Sequence, residues 1–539
     1  MDSVWDYIKK YPLQVTLITI FSIISMISSI VVPYLNGLFI DALISSNSLN
    51  NILRLILIII IIGLFGIIAS YFVNMSIIKM TSKASYDMLS DTVAHIQKMP
   101  IDEFRSKYAP AYIVQRISGD LNIMFSFFLN NFISIFINII TLFVVFTIIY
   151  QINFTIFATS VLFIPVYLVC YYKLKTPLFE KNKESKEKSN HFSKTVFNQV
   201  NEVYSIKVDG SFDKSHKKLT DSFLEYFYSI ISYSRISYLF TSLDGIIAIL
   251  FQSSILIIAG IEIIGGFMTV GEFTIVNTYF VILLTSVKYY FNLGKSLQDY
   301  RTSKSRMGEI FSIDNENNGC LTVENINRIT MKNVSFSYYN QDYNIIQDFT
   351  TEFYKGEIIL IHGTNGIGKT TIANILLGLH QDLCQGSVEF DGLNLKDIDM
   401  YSCRQNTISM LIQNPVFSDE SVSTYLEENI GIPFPNIIQM IKLINLEKLY
   451  LSNEFSIEDH KGDKINTLSG GQQQRIVLLK TLSKKSSVLI LDEPSNGLDN
   501  DCTEAIIEYL KNTKRDRITI IISHDNRFRN ISDKIIQLN

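Results

Sequence analysis

A glycine-rich segment, GTNGIGKT at 363–370, lies between the apolar run IILIH and a stretch of helical periodicity. Gly363, Gly368, Lys369 and Thr370 have the spacing G-x-x-x-x-G-K-[ST], in which glycines allow backbone N–H groups to surround phosphate oxygens at the start of a helix. The lysine would reach the β- and γ-phosphates of a nucleotide, and the threonine hydroxyl would bind Mg²⁺. The predicted phosphate-binding residues are Gly363, Thr364, Asn365, Gly366, Ile367, Gly368, Lys369, Thr370 and Thr371.

Two neighbouring carboxylates follow a second apolar run, SVLILDEP at 487–494. At the end of a buried strand, Asp492 could bind the metal, directly or through water, and Glu493 could act on the attacking water. Two acidic residues after a strand are equally typical of a helix N-cap. This pattern by itself therefore leaves both interpretations open.

The segment LSGGQ at 468–472 decides between them. A Ser-Gly-Gly turn that opens a helix is an anion-binding N-terminus, and here the sequence resembles the ABC transporter ATPases, whose signature motif this is. The resemblance implies that ATP and Mg²⁺ are the cofactors and that two nucleotide-binding domains pack head to tail. The signature of one subunit would then contact the γ-phosphate held by the other. The signature residues concerned are Ser469, Gly470, Gly471 and Gln472.

Four further positions match the same family in order along the chain. The resemblance implies that Tyr338, or its neighbour Tyr339, stacks on adenine and that Gln413 senses the metal and the attacking water. It also implies that Asp499 lies in a loop crossing the dimer interface and that His524 contacts the γ-phosphate. The implied catalytic residues are Glu493, His524 and Gln413, and the implied metal-binding residues are Thr370, Gln413 and Asp492.

The first 300 residues are unusually apolar, in a chain of 539 residues of which 47% are hydrophobic and 18% charged. A membrane-spanning helix needs about 20 mainly apolar residues, and six stretches qualify or nearly so. They lie at 13–42, 51–78, 128–150, 153–173, 236–264 and 270–293. The formal net charge of −4 argues against nucleic acid as a partner, because binding of a phosphate backbone needs a strongly basic face.

The connections between these stretches alternate in character. Short connections with little positive charge, at 43–50, 150–153 and 265–269, would lie outside the cell, whereas the long lysine-rich connections at 79–127 and 174–235 would lie in the cytoplasm. Apolar residues recur at helical spacing in both long connections. We therefore expect helices that extend from the membrane and reverse at a short turn.

The N-terminal residues, MDSVWDYIKKYPLQ, lack the pattern of a signal peptide. We expect a short amphipathic helix on the membrane surface, with Trp5 and Tyr7 as interfacial anchors.

Several polar residues fall within the predicted spans, where polar groups usually face the helix bundle or a cavity. They are Asn74, Asp244, Gln252, Ser253, Ser254 and Asn277. Hydrogen bonds between helices explain any one of them better than contact with a transported substrate. The spans contain no strong charge cluster that would indicate an anionic or cationic cargo.

After the last predicted span the sequence becomes polar. Short β-branched runs then alternate with helical ones, as in a parallel sheet that is buried on both faces. The predicted fold is an α-helical transmembrane domain at 1–311, with six spans and long cytoplasmic extensions. A linker at 312–327 and an α/β P-loop nucleotide-binding domain at 328–539 follow it.

This order resembles a half-transporter of the type IV ABC exporters. The resemblance implies docking turns near 99–121 and 205–214 and a multi-pass protein of the bacterial plasma membrane, with its ATPase domain in the cytoplasm. Membrane lipid would surround the spans. One chain carries a complete set of ATPase motifs, so we expect a homodimer, with a heterodimer as the alternative.

The cargo is the least determined part of this hypothesis. We expect no N-terminal cysteine-peptidase domain and no spare helices, an organisation that resembles exporters of small natural peptides or hydrophobic compounds that need no leader cleavage by the transporter itself. We expect alternating-access export of a small antimicrobial or modified peptide, or of a hydrophobic compound. The alternatives are a multidrug pump, a lipid flippase, or an ATP-gated channel or sensor, and a complete hydrolytic set argues against the channel or sensor.

Overall fold

The structure is a computed structural model that describes residues 4–45, 49–107, 110–338, 343–364, 366–413, 415, 417, 419–444, 446–452 and 455–538. Two compact units make up the chain. The first contains Met1–Val93 and Ile113–Ser312, and the second contains Ala94–Tyr112 and Ile313–Asn539. A short segment from the N-terminal half of the sequence therefore belongs to the unit that carries the nucleotide motifs.

Long helices form the first unit. In chain order the helices up to its end are α1 (Val4–Lys9), α2 (Pro12–Ile44), α3 (Leu49–Gln97), α4 (Ile101–Lys107), α5 (Pro110–Ile152), α6 (Phe154–Asn201), α7 (Val203–Asp209), α8 (Phe212–Ile264) and α9 (Val270–Phe311). Of these, α4 lies in the segment that belongs to the second unit.

Five described helices, α2, α3, α5, α8 and α9, are long and apolar enough to cross a membrane. They coincide with five of the six predicted spans, which are confirmed on length and composition. The apolar part described for α6, Phe154–Val169, is shorter than the length a span needs. The sixth span, at 153–173, therefore stays a prediction.

Both long polar connections are helical, as their periodicity predicts. Helix α3 continues to Gln97, and α6 and α8 extend well beyond their apolar parts and reverse through α7. Gly210 ends α7 in the left-handed conformation, with φ of 61°. Lys188 of α6 donates to the carboxylate of Glu225 in α8 at 2.7 Å, which joins the two extensions side by side.

A single carboxylate joins the ends of α2 and α9. Asp41 accepts hydrogen bonds from the Thr269 hydroxyl at 2.7 Å and from the Gly271 backbone N–H at 2.8 Å. Thr269 also caps α9 in a reciprocal arrangement with Glu272. A Cβ atom at Gly271 would lie 2.2 Å from the carbonyl oxygen of Gly37, so this close approach requires glycine.

Polar residues in the spans mostly bond within their own helices. The side-chain amide of Gln252 in α8 donates to Asn277 Oδ1 in α9 at 3.2 Å, which confirms the predicted interhelical bonding for that pair. Asn74 and Ser254 instead donate to carbonyl oxygens one turn earlier in their own helices. For these two residues the prediction is wrong. The side chain of Asp244 lies outside the described residues.

The N-terminal helix α1 packs partly against protein. Tyr7 is only 5% exposed, and its hydroxyl donates to Asp91 Oδ2 in α3 at 2.8 Å. The ring of Trp5 lies against Phe128 and Phe132, with centroids 5.5 and 5.2 Å away. The predicted short helix is confirmed, but Tyr7 is not an interfacial anchor, because its ring is buried with Phe125 of α5 edge-on against it and its hydroxyl donates to α3.

Strands and short helices alternate in the second unit. Its strands are β1 (Arg328–Phe336), β2 (Ile346–Tyr354), β3 (Ile358–His362), β4 (Cys384–Phe390), β5 (Leu393–Asn394), β6 (Ile408–Leu411), β7 (Leu451–Ser452), β8 (Phe455–Ser456), β9 (Val488–Asp492), β10 (Ile518–Ile522) and β11 (Lys534–Gln537). Its further helices are α10 (Lys369–Leu376), α11 (Met400–Asn406), α12 (Val422–Ile430), α13 (Phe434–Leu443), α14 (Glu447–Tyr450), α15 (Gly470–Ser483), α16 (Asn500–Thr513) and α17 (Asn526–Arg529). Short 3₁₀ turns cover Leu395–Asp397, Ile465–Thr467 and Lys514–Asp516.

A parallel sheet in the order β11-β3-β10-β9-β6 forms the centre of this unit, and an antiparallel sheet, β2-β1-β4-β5, accompanies it. Alternate residues of β9 enter two different apolar clusters: Leu489 and Leu491 enter one, Val488 and Ile490 the other. The predicted double-sided burial is therefore confirmed. Because the five strands are parallel, the carboxyl ends of β3, β6, β9 and β10 lie along one edge of the sheet.

Candidate active site

The glycine-rich loop joins the end of β3 to the start of α10. Gly366 and Gly368 have φ of 83° and 103°, a region that L side chains rarely adopt. Helix α10 begins at Lys369, directly after the loop, so its first N–H groups face the loop interior. Asn365 lies outside the described residues. The remaining loop residues have the strand, turn and helix arrangement that phosphate binding requires.

Lys369 is held inside this loop. The residue is 8% exposed, and its ammonium group donates to the Gly363 carbonyl at 2.6 Å and to the Thr364 carbonyl at 3.3 Å. Its Nζ also lies 2.7 Å from Nε2 of His524, which follows β10. Two side chains predicted to contact the γ-phosphate, 155 positions apart in the chain, are thus adjacent.

The predicted metal-binding residues from two elements also meet. Thr370 at the start of α10 donates its hydroxyl to Asp492 Oδ2, at the end of β9, at 2.8 Å. Asp492 is 2% exposed, and burial raises the pKa of its carboxyl although the hydrogen bond from Thr370 acts in the opposite direction. A hydroxyl and a buried carboxylate are oxygen ligands of the kind Mg²⁺ prefers, and a cation here would favour the ionised carboxylate. These residues fit the implied Mg²⁺.

Glu493 occupies a strained backbone position beside Asp492. Its φ is 50°, in the left-handed region that is uncommon for residues other than glycine. Its N–H donates to the Ile522 carbonyl at 2.8 Å, and its carboxylate lies 3.9 Å from Nε2 of His524. The next helix, α16, is capped by Asp499 instead. The N-cap interpretation of the two acidic residues is therefore wrong.

Gln413 is exposed just beyond the end of β6. Because β6 pairs in parallel with β9, with Leu411 opposite Leu491, Gln413 lies at the same sheet edge as Asp492. This edge thus carries the loop, the two carboxylates, the glutamine and the histidine.

The signature segment forms the N-terminus of α15. Ser469 is the N-cap, and it makes a reciprocal pair with Gln472: the Ser469 hydroxyl accepts from Gln472 N–H at 3.4 Å, while Gln472 Oε1 accepts from Ser469 N–H at 2.9 Å. Within the described residues, the side-chain hydrogen bonds of both thus stay inside their own helix end. In this first turn Gly470 is exposed and Gly471 is half-buried, and the N–H groups at a helix N-terminus attract an anion.

Sequence reasoning missed Arg475, one turn further along α15. Its Nη2 donates to Asp499 Oδ2 at 2.7 Å, which ties the signature helix to the start of α16. The backbone N–H of Cys502 and the Arg475 guanidinium hold the pKa of the Asp499 carboxyl below its usual range. An arginine following LSGGQ on the buried face of a helix was the available signal.

His362, the last residue of β3, was missed as well. Its Nδ1 lies 3.2 Å from the Ser523 carbonyl, and its ring packs against that of His524 with centroids 5.2 Å apart. His362 therefore supports the segment that carries His524.

Tyr338 lies just after β1. Its hydroxyl is 3.1 Å from the Thr371 hydroxyl in α10, and its ring contacts Phe336 and His380 edge-on. The alternative, Tyr339, lies outside the described residues. The aromatic predicted to stack on adenine is therefore tied directly to the phosphate-binding helix.

Two family models match the chain: the ABC transporter transmembrane region at residues 15–287 and the ABC transporter model at residues 346–496. The chain belongs to the ABC transporter family. Membership implies ATP binding by the C-terminal domain, with ATP hydrolysis coupled to transport, in a multi-pass membrane protein of half-transporter architecture.

Two relatives show how much of this ABC transporter chain aligns with known proteins. ComA, a transport/processing ATP-binding protein of Streptococcus pneumoniae, is 24% identical over 491 residues, which cover 89% of the chain and 67% of ComA. SpaT, the subtilin transport ATP-binding protein of Bacillus subtilis, is 31% identical over 224 residues, covering 40% of the chain and 36% of SpaT. The chain matches about two thirds of ComA's length and about a third of SpaT's.

A solved structure of a bacterial Atm1-family ABC exporter with ATP bound has the same fold. The TM-score is 0.84 at 17% identity, over 98% of this chain and 94% of that one. The predicted fold class, a helical transmembrane domain followed by an α/β ATP-binding domain, is thereby confirmed.

Proposed function

We propose that this chain is one half of a homodimeric exporter that hydrolyses ATP to move a small peptide out of a bacterial cell. The observation that carries the proposal is the meeting of Lys369, Thr370, Asp492, Glu493 and His524 along one sheet edge. These side chains come from three separate elements. Their types match what cleavage of a terminal phosphoryl group needs: a lysine and a histidine beside the phosphate, a metal-binding pair and a general base.

The chain's own residues would act on ATP as follows. Lys369 and the loop N–H groups bind the β- and γ-phosphates, and Tyr338 stacks on adenine. Glu493 orients a water molecule and accepts its proton as the new oxygen–phosphorus bond forms and the bond to the bridging oxygen breaks. His524 stabilises the charge on the γ-phosphoryl oxygens. Thr370, Asp492 and Gln413 would hold Mg²⁺, which neutralises phosphate charge when bound.

The hydrogen bonding of the signature segment supports the homodimer. Ser469 and Gln472 bond to each other at the start of α15, and the helix N-terminus remains suited to an anion. A γ-phosphate supplied by a second copy is the natural ligand for such a terminus. Two identical chains would then make two complete sites, and closure of both on ATP would favour one of two membrane conformations.

The peptide cargo is supported by the relatives. The name of SpaT states subtilin transport, and that of ComA states transport and processing. The described spans of this chain are apolar, and their polar groups are largely bonded within helices. A surface of this kind suits an amphipathic peptide or a hydrophobic compound better than a strongly charged solute.

Reconstitution of the purified chain in liposomes tests the proposal. ATP hydrolysis would be measured with a panel of small cyclic and modified peptides, amphipathic drugs and lipids. We expect stimulation by a subset of peptides, followed by their ATP-dependent accumulation in vesicles whose ATPase domains face outward. Vesicles with Glu493→Gln protein are the matched control. Stimulation by drugs or lipids alone would replace the peptide cargo with a multidrug or flippase function, and an absence of ATP hydrolysis would overturn the proposal.

A further inference from the structure

A buried aspartate–histidine pair lies outside the catalytic edge. Asp102 is on the short helix α4, in the segment 94–112 that belongs to the ATP-binding unit. His380 is in the turn between α10 and β4. They are 7% and 1% exposed, and Asp102 Oδ2 lies 2.7 Å from His380 Nδ1. A carboxylate removed from water to this extent depends strongly on its partner.

This contact fixes the orientation of the imidazole ring. In the described part of the chain, Nε2 of His380 has no hydrogen-bond partner. The polar contact that sets the ring's rotation is therefore the one from Nδ1 to Asp102. The segment that carries Asp102 is held independently, because the Lys98 carbonyl accepts from Glu316 N–H at 2.7 Å and Met99 is buried.

The ring of His380 contacts the tyrosine that is predicted to stack on adenine. His380 packs on Phe336, with centroids 4.7 Å apart, and edge-on to Tyr338, with centroids 5.6 Å apart. The Tyr338 hydroxyl in turn lies 3.1 Å from that of Thr371 in the phosphate-binding helix. A continuous set of contacts therefore runs from Asp102 through His380 and Tyr338 to Thr371.

We propose that Asp102 and His380 are positioning residues that set the placement of Tyr338, and that α4 thereby controls the affinity for the adenine of ATP. The inference rests on the proposed function in one respect, the stacking of adenine on Tyr338. When α4 is displaced, the imidazole loses its orienting partner and the tyrosine loses a neighbour. Stacking of a base on an aromatic ring contributes about 1–3 kcal/mol, so a misplaced ring weakens nucleotide binding.

Full-length Asp102→Ala protein tests this directly. We expect the KM for ATP to rise roughly 5-fold, with kcat within about twofold of wild type. The Kd for ATP, measured in a Glu493→Gln background without turnover, should rise by the same factor. The Kd for GTP should rise by a similar factor, because stacking on an aromatic ring acts on any base, whereas the Kd for inorganic triphosphate, which has no base, should not change. Asp102→Asn, whose amide oxygen still accepts from Nδ1, should recover most of the affinity.

Two controls separate positioning from simple anchoring of α4. The pair His460 and Asp463 has a similar distance, 2.6 Å, but is exposed on the surface, so Asp463→Ala should leave the KM for ATP unchanged. In a Tyr338→Leu background, Asp102→Ala should have no further effect on the Kd. A lower kcat with unchanged KM and Kd for ATP would overturn the inference, as would an undiminished effect of Asp102→Ala in the Tyr338→Leu background.

If Asp102→Ala does not fold, His380→Gln carries the test. Its amide still donates to Asp102 but offers no ring to Tyr338, so the Kd for ATP should rise, and an unchanged Kd would overturn the inference. Failure of the proposed function is distinguishable, because it would remove hydrolysis or transport from the wild-type chain. The dependence of ATP binding on Asp102 is measured without either activity.

Discussion

The catalytic edge of the parallel sheet and the membrane helices differ in where most of their polar side chains bond. At the sheet edge, polar groups bond across elements, as Lys369 does with His524 and Thr370 with Asp492. In the spans, a residue such as Asn74 bonds to its own helix backbone. The first arrangement can act on a ligand of defined charge. The second leaves mainly shape and apolar area for contact with a ligand, which agrees with the apolar cargo proposed above.

The largest expected effect at the sheet edge is that of Glu493→Gln. Loss of the group that accepts the proton from water should lower ATP turnover by roughly 100- to 10,000-fold while ATP binding is retained. Turnover by phosphate release and binding by equilibrium dialysis would measure this. The exposed Glu504→Gln in α16 is the matched control and should behave as wild type. Wild-type turnover by Glu493→Gln would remove Glu493 from the catalytic role.

Lys369→Ala should act on binding instead. Hydrogen bonds to charged groups contribute about 1.5–3 kcal/mol, so loss of the ammonium should raise the Kd for ATP by roughly 10- to 100-fold. Binding measured by fluorescence of a labelled nucleotide would report this change. Lys485→Ala, at an exposed lysine, should not alter the Kd. Equal Kd values for wild type and Lys369→Ala would contradict phosphate binding by the loop.

Gln252→Leu tests a polar side chain of the membrane helices. Interhelical hydrogen bonds in membranes average about 0.6 kcal/mol, so its removal should leave basal ATP turnover within about twofold of wild type. A change would be measured in the stimulation of ATP turnover by cargo. A tenfold loss of basal turnover would mean that the polar groups of the two regions are coupled more tightly than their separate bonding patterns indicate.

The smallest expected effect is that of Asp492→Asn on the thermal stability of the protein without nucleotide. We expect a small stabilisation. Burial raises the pKa of this carboxyl, so the ionised form costs stability at neutral pH, and the cost disappears as the pH falls through the raised value. Without nucleotide, the variant should have a slightly higher Tm than wild type at neutral pH, and the difference should shrink toward acidic pH. Differential scanning fluorimetry would measure it. A lower Tm at neutral pH would show that the carboxylate stabilises the empty site.

Local spacing predicts much of the catalytic edge. Gly368, Lys369 and Thr370 lie in one turn, and their backbone requirements are visible in the sequence itself. The strands that end in Asp492 and precede His524 are apolar enough to be recognised as buried parallel strands. Their shared edge then follows from parallel pairing.

Long-range contacts were not predictable in this way. Asp102 and His380 are 278 positions apart, and neither lies in a motif that requires the other. Tyr7 is of a residue type common at membrane interfaces, yet tertiary packing buries it, with Phe125 against its ring and a carboxylate of α3 bound to its hydroxyl. The sixth span was uncertain for a different reason: the described apolar part of α6 is short and merges into a polar extension, so length alone does not define it.

The bond of Asp41 to Thr269 and Gly271 has a mechanical consequence. Sliding α2 past α9 by a single residue, about 1.5 Å, would break both hydrogen bonds at once, and the approach of Gly271 to Gly37 leaves no room for a Cβ atom. We therefore expect α2 and α9 to move together. An opening of the membrane region would then occur between this helix pair and its other neighbours, and not along the contact between α2 and α9.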